Sequence, residues 1–145
     1  MLSKAFHASR RNLYHDILEP GQMGILVSGE EKRKAGDENY PFSVYRNFYY
    51  ITGFERPGTI YIAYRVENEV REILFIERPE PIRERFEGKM PRPEEVIEEF
   101  GIMTVRYVDE LEKSISSIMT GMILIQFGLI RKTKILMIAW IVTNY

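Results

Sequence analysis

Two histidines, His7 and His15, are the only imidazoles in a chain of 145 residues that contains no cysteine. Shared metal binding would require them to approach one another. They stand eight positions apart in a stretch that reads as one helix. At a rise of 1.5 Å per residue their backbones lie roughly 12 Å apart, too far to share an ion. They read instead as surface or boundary positions of an amphipathic helix. Carboxylates occur in adjacent pairs, Glu30-Glu31, Asp37-Glu38, Glu94-Glu95 and Glu98-Glu99. Such pairs could divide acid and base work, but the last two fit a solvated helix face. No GxSxG elbow, GxxxxGK[ST] loop or strand-GxGxxG-helix unit is present, so Gly24, Gly29, Gly53 and Gly58 read as turn and strand-end positions. The missing cysteine excludes disulfides, thiolate nucleophiles and Cys-built zinc sites, and points to a reducing cytoplasm.

The densest cluster of interacting side chains is YPFSVYRNFYYITGF, residues 40–54, in which seven of fifteen residues are aromatic. Phe42, Phe48 and Tyr50 are expected to fill the core from a strand over 48–52, with Tyr49 and Ile51 turned the other way. Arg46-Asn47 would fix the loop entering that strand. Tyr40, Pro41, Asn47, Thr52 and Gly53 complete this structural motif. Asp37 is expected to cap or anchor the preceding loop with Arg46. The residues assigned to contact with substrate or partner are Arg46, Tyr45 and Phe86, with no catalytic residue and no metal ligand.

The elements that must hold this cluster follow from periodicity. Residues 4–18 form a helix with Phe6, Leu13, Ile17 and Leu18 on one side, stopped at Glu19-Pro20-Gly21. GILVSGE reads as a buried strand and EEKRKAGDEN as a solvated loop. TIYIAYRV and VREILFIE, joined at Glu67-Asn68, make an antiparallel hairpin, the first of them half-buried. A short helix over 82–88 follows. PRPEEVIEEFGI is a second helix, with Pro93 in the first turn and Gly101 at the end. MTVRYV is a strand, and Asp109 is expected to cap the helix after it. The fold class is therefore α/β, a mixed parallel and antiparallel sheet flanked by helices.

In this order, RRNLYHDI, GILVSGE, AGDENYPFSVYRNFYYITGFERPG, REILFIE, FEGKM and EEVIEEFGI make the chain resemble, from about Phe6 to Ser116, the N-terminal domain of the Xaa-Pro aminopeptidases (aminopeptidase P) in the creatinase/prolidase group. The central block is the most specific part. Members often carry Trp where this chain has Phe86. The resemblance implies a creatinase-like domain 1–116 whose aromatic block faces a catalytic domain or a neighbouring subunit. It also implies an oligomeric two-domain enzyme whose second domain binds two divalent metals, manganese as a rule, and cleaves before proline. That catalytic domain is absent from these 145 residues, so the chain alone is expected to be inactive, with no cofactor of its own.

A break in composition marks the rest. All acidic residues lie at or before Glu112, and the last 33 residues carry none, although the chain's net charge is only -1. That balance gives no pull toward nucleic acid. The apolar runs 118–130 and 135–142 are separated by Arg131-Lys132-Thr133-Lys134, and each is shorter than the 20 or so residues that span a bilayer. A membrane anchor is therefore not expected. Read one base earlier, the Met-Thr, Met-Ile and Trp-Ile pairs of this tail give Asp codons, and the tail 117–145 is expected to reflect a frameshift near Ser117. Its run MILIQFGLI could replace a lost strand or promote self-association. Two other classes compete with a peptidase domain: a free-standing interaction module using the aromatic edge, and a peripheral membrane protein using the tail.

Overall fold

The computed structural model describes residues 2–36 and 38–129. A four-stranded sheet of order β1-β4-β5-β6 forms its centre, made of β1 (Met23–Val27), β4 (Ile60–Val66), β5 (Glu69–Ile76) and β6 (Val105–Tyr107). The first two pairings are antiparallel and β5-β6 is parallel, so the sheet is mixed as expected. The β4-β5 hairpin turns at Glu67-Asn68, where Glu67 takes a positive φ of 54°.

Alternation along the central strands feeds two cores, one on each face of the sheet. Tyr61, Ala63, Leu74 and Ile76 point to one face with Leu18, Phe48, Phe54 and Val96. Ile62, Ile73 and Phe75 point to the other with Met23, Ile25 and Met122. TIYIAYRV is thus buried on both faces over its first half, where half-burial was expected. The first face is covered by α1 (Lys4–Ile17), α2 (Arg46–Thr52) and α4 (Pro93–Phe100), and the second by α5 (Leu111–Leu129). Burial of this kind is worth about 1.5–3 kcal/mol for each large apolar side chain.

Four expectations are corrected. Residues 48–52 are not a strand but the body of α2, which starts from extended Tyr45 and ends at Gly53 in the left-handed region, φ 74°. The stripe Phe48 and Thr52, one helical turn apart, is what it buries, while Tyr50 is 42% exposed and Phe42 half-buried. In EEKRKAGDEN a short hairpin forms, β2 (Arg33–Ala35) with β3 (Glu38–Asn39). Asp37, at its tip, lies outside the described residues.

On α1 the inner face is polar. His7, Arg11 and His15 are buried, whereas Leu13 and Ile17 are exposed, the latter by 72%. Finally, Asp109 caps nothing. It lies in a 3₁₀ turn, Val108–Glu110, where Glu110 accepts from the Tyr107 N–H and Asp109 holds Arg78 at 3.1 Å.

Elsewhere the expected helices stand. α3 (Pro81–Glu87) and α4 occur where predicted, with Pro93 at N1 and Gly101 left-handed at φ 70°. Helix α5 runs across Ser116-Ser117 without a break, so residues 122–129 are helical and replace no strand. Val108, Leu111, Ile115, Ile118 and Met119 pack it on the sheet around Met122. Of the atypical tail, residues 130–145 lie outside the described residues.

Candidate functional site

Strands β1, β5 and β6 run in one direction, and in open α/β sheets ligands favour the crevice beyond such carboxyl ends. Here a crevice of about 930 Å³ opens where β1 ends, with Glu77 after β5 and Val108 after β6 in its wall. The segment after β1 is pinned to the start of β4. The Ser28 N–H donates to the Thr59 carbonyl at 3.0 Å, the Thr59 N–H to Ser28 Oγ at 3.0 Å, and the Gly58 N–H to the Gly29 carbonyl at 2.9 Å. Gly29 has φ 101°, a conformation that favours glycine, and a Cβ there would sit 3.3 Å from the Tyr45 ring. The Tyr45 N–H donates to the Ser28 carbonyl at 3.0 Å, which places the first turn of α2 on the rim.

Tyr45, Arg46, Asn47 and Phe48 therefore come together in this wall, and Glu30 and Glu77 also line the crevice. Phe48 is buried, and Tyr45 is 56% exposed. Phe86 is not part of the crevice. It is 85% exposed on α3, beside Ile82, which is also exposed. Tyr40 is exposed, with its N–H bonded to the Lys32 carbonyl at 3.0 Å, and Pro41 is exposed beside it. Thr52 is buried because its hydroxyl donates to the Phe48 carbonyl at 2.9 Å and accepts from the Phe54 N–H at 3.1 Å. A Cβ on Gly53 would lie 2.7 Å from His7 Cδ2, so this glycine both ends α2 and admits α1.

What positions α2 is a buried polar network that the residue pattern did not announce. His7 Nδ1 donates to the Tyr50 carbonyl at 3.0 Å. Arg11 donates to the Ile51 and Phe100 carbonyls, each at 3.1 Å, and its Nε is 3.6 Å from Glu72. Tyr61 donates to Glu72 at 2.6 Å, and the Met103 N–H does so at 3.1 Å. With its hydrogen committed to Glu72, the Tyr61 oxygen accepts from His15 Nε2 at 2.9 Å. The two histidines are thus buried members of this network and not boundary residues.

Burial alone would push the Glu72 carboxyl up, but the bonds from His15, Tyr61 and Met103 and the charge of Arg11 outweigh it and hold it below the usual value. Tyr61 is pushed far above a normal phenol by burial and by Glu72. Burial also lifts Tyr14 to about 12. Its hydroxyl, buried without a partner, lies over Gly24, where any Cβ would come within 1.8 Å. The spacing His7-Arg11-His15, one residue per helical turn, was the available signal for this network.

Among the described residues no group of three or more His, Asp or Glu is placed to hold a metal, so they do not fit a two-metal centre. No helix among them is long and apolar enough to cross a membrane.

Residues 7–124 match the family model described as aminopeptidase P, N-terminal domain. The Xaa-Pro aminopeptidase of Haemophilus influenzae is 24% identical over 121 residues, which are 83% of this chain and 28% of that protein. A Bacillus anthracis structure provisionally named aminopeptidase P superposes with a TM-score of 0.76 at 35% identity, over 81% of this chain and 28% of that one. Aminopeptidase P of E. coli, solved with the inhibitor Pro-Leu, gives a TM-score of 0.75 at 19% identity, over 80% and 27%. The chain spans less than a third of the length of these relatives. On the family match across most of its length, this chain belongs to the aminopeptidase P N-terminal domain family.

Proposed function

We propose that this chain is the non-catalytic N-terminal domain of an Xaa-Pro aminopeptidase, shaping the entrance to the active site and helping subunits assemble. The observation that carries the reading is the family match over residues 7–124 of a chain that spans under a third of its relatives. In the complete enzyme a separate catalytic domain carries two divalent metals, manganese in the family, and removes the residue before proline. The assembly is a homo-oligomer in the cytoplasm. Tyr45 and Arg46, on the crevice rim, are the contact residues on this side. Phe86, exposed on α3, serves a second contact with a neighbouring subunit.

The test is a chimera in which residues 1–124 replace the N-terminal domain of the Haemophilus influenzae Xaa-Pro aminopeptidase. The chimera should cleave prolyl peptides. Tyr45→Ala with Arg46→Ala should lower kcat/KM by about tenfold, the equivalent of one 1.4 kcal/mol interaction. Full activity in the double variant would defeat the assigned contact. A chimera that assembles with its metals bound but turns over nothing would defeat the reading as a whole.

A further inference from the structure

Helix C-termini leave their last carbonyls unpaired and carry partial negative charge. Those of α2 and α4 meet at the buried face of α1, whose side chains donate to both, while Arg65 serves the end of α1 itself. His7 and Arg11 take the Tyr50 and Ile51 carbonyls of α2. Arg11 and Lys4 take the Phe100 and Glu98 carbonyls of α4. Arg65, from β4, takes the His15 carbonyl at 2.8 Å and that of Leu18. Glu72 is the only buried carboxylate among the described residues, and so the only counter-charge inside this junction.

Aliphatic packing behind these bonds is sparse. From α1 and its cap, Leu18 and half-buried Tyr14 join the core on this side, and Leu13 and Ile17 face outward. The further contacts with α2 are ring edges, Phe6 on Tyr50 at 5.2 Å and His7 on Tyr49 at 5.1 Å. The opposite core, under α5, shares none of the junction's residues.

We infer that α1 is an acid-released clasp: protonation of Glu72 leaves Arg11 as an uncompensated buried cation between the ends of α2 and α4, and α1 then parts from both while the β4-β5 hairpin and α5 stay folded. The last turn of α2, whose first turn forms the rim of the crevice, loses its carbonyl partners in the same event. The inference rests on the junction alone and holds whatever the crevice binds.

The groups facing Glu72 are Arg11 and His15 from α1, Tyr61 from β4, and the Met103 N–H from the segment before β6. Helices α2 and α4 reach it only through carbonyls bonded to Arg11. On β5 itself, Arg71 is exposed and paired with Glu69 at 3.5 Å. Because the folded carboxyl lies below its unfolded value of about 4.3, the clasp is at full strength above that pH and weakens as the pH falls through the folded value beneath it.

Hydrogen exchange read by mass spectrometry on the full chain tests this, with protection corrected for intrinsic rates between about pH 6 and pH 3. Peptides from 4–17 and 46–52 should lose at least about tenfold in protection at a pH where 60–76 is unchanged. In Glu72→Gln, which keeps the shape but carries no charge and only one acceptor oxygen, the same peptides should be deprotected at every pH. Concerted loss of protection across all three regions of the wild-type chain overturns the inference. So does a Glu72→Gln profile identical to wild type. Should that variant not fold, the wild-type profile decides alone.

Discussion

Replacing Arg11 by Met is the sharpest test of how this domain is held together. The guanidinium is almost wholly buried and serves three elements at once: the last turn of α2 through the Ile51 carbonyl, the end of α4 through the Phe100 carbonyl, and β5 through Glu72. Methionine preserves most of the volume, so little of the loss comes from a cavity. What it removes is one partner of a buried ion pair, a change that typically costs about 3–5 kcal/mol because the remaining charge is stranded. Each orphaned carbonyl would add about 1–3 kcal/mol if kept dry. Both sit at helix ends that water can reach after a small shift, so the ion-pair loss alone, about 4 kcal/mol, is the expectation. With a urea slope near 2 kcal/mol per molar, the midpoint should fall by about 2 M in far-UV circular dichroism of the full chain. Pairing Arg11→Met with Glu72→Met should cost less than the sum of the two single changes, since no stranded charge is left. A single-variant loss under about 1 kcal/mol, or strict additivity in the pair, would refute the idea that this network holds the three helices.

Other consequences are smaller and independent. Gly53→Ala places a Cβ at φ 74° and 2.7 Å from the His7 ring, so it should cost more than the ~1 kcal/mol of left-handed strain alone, read as a urea midpoint shift. Arg78→Ala should leave the urea midpoint essentially where it is, because Arg78 and Asp109 are both exposed and water screens the pair. In ultraviolet titration Tyr14 should ionise near 12 and not near 10. Because the folded phenol is raised, its contribution to stability is complete below pH about 10 and is lost as the pH rises toward the folded value.

The hairpin and α4 were legible because a period of two and the Pro-start, Gly-stop signals agree with tertiary packing there. RNFYYIT was not, because its rings favour strands in isolation. The deciding terms are Gly53 at the helix end and two side chains from α1 that satisfy the last-turn carbonyls, contacts that no local window contains. The polar face of α1 was hidden for a related reason. Amphipathic patterning assumes that the inner stripe is apolar, whereas here it is His7-Arg11-His15, made tolerable inside by Glu72 and Tyr61 on distant strands. Within the candidate site, Tyr45 and Arg46 could be named from the aromatic block. The walls contributed by Gly29, Thr59 and Glu77 could not, because they converge only once the strands are ordered.

The central expectation is that this polypeptide does not act without a companion domain. The direct measurement is turnover of an Xaa-Pro peptide by the purified chain supplied with manganese, with metal content determined on the same sample. No released N-terminal residue and no stoichiometric metal is the predicted result; sustained cleavage with bound metal would contradict it.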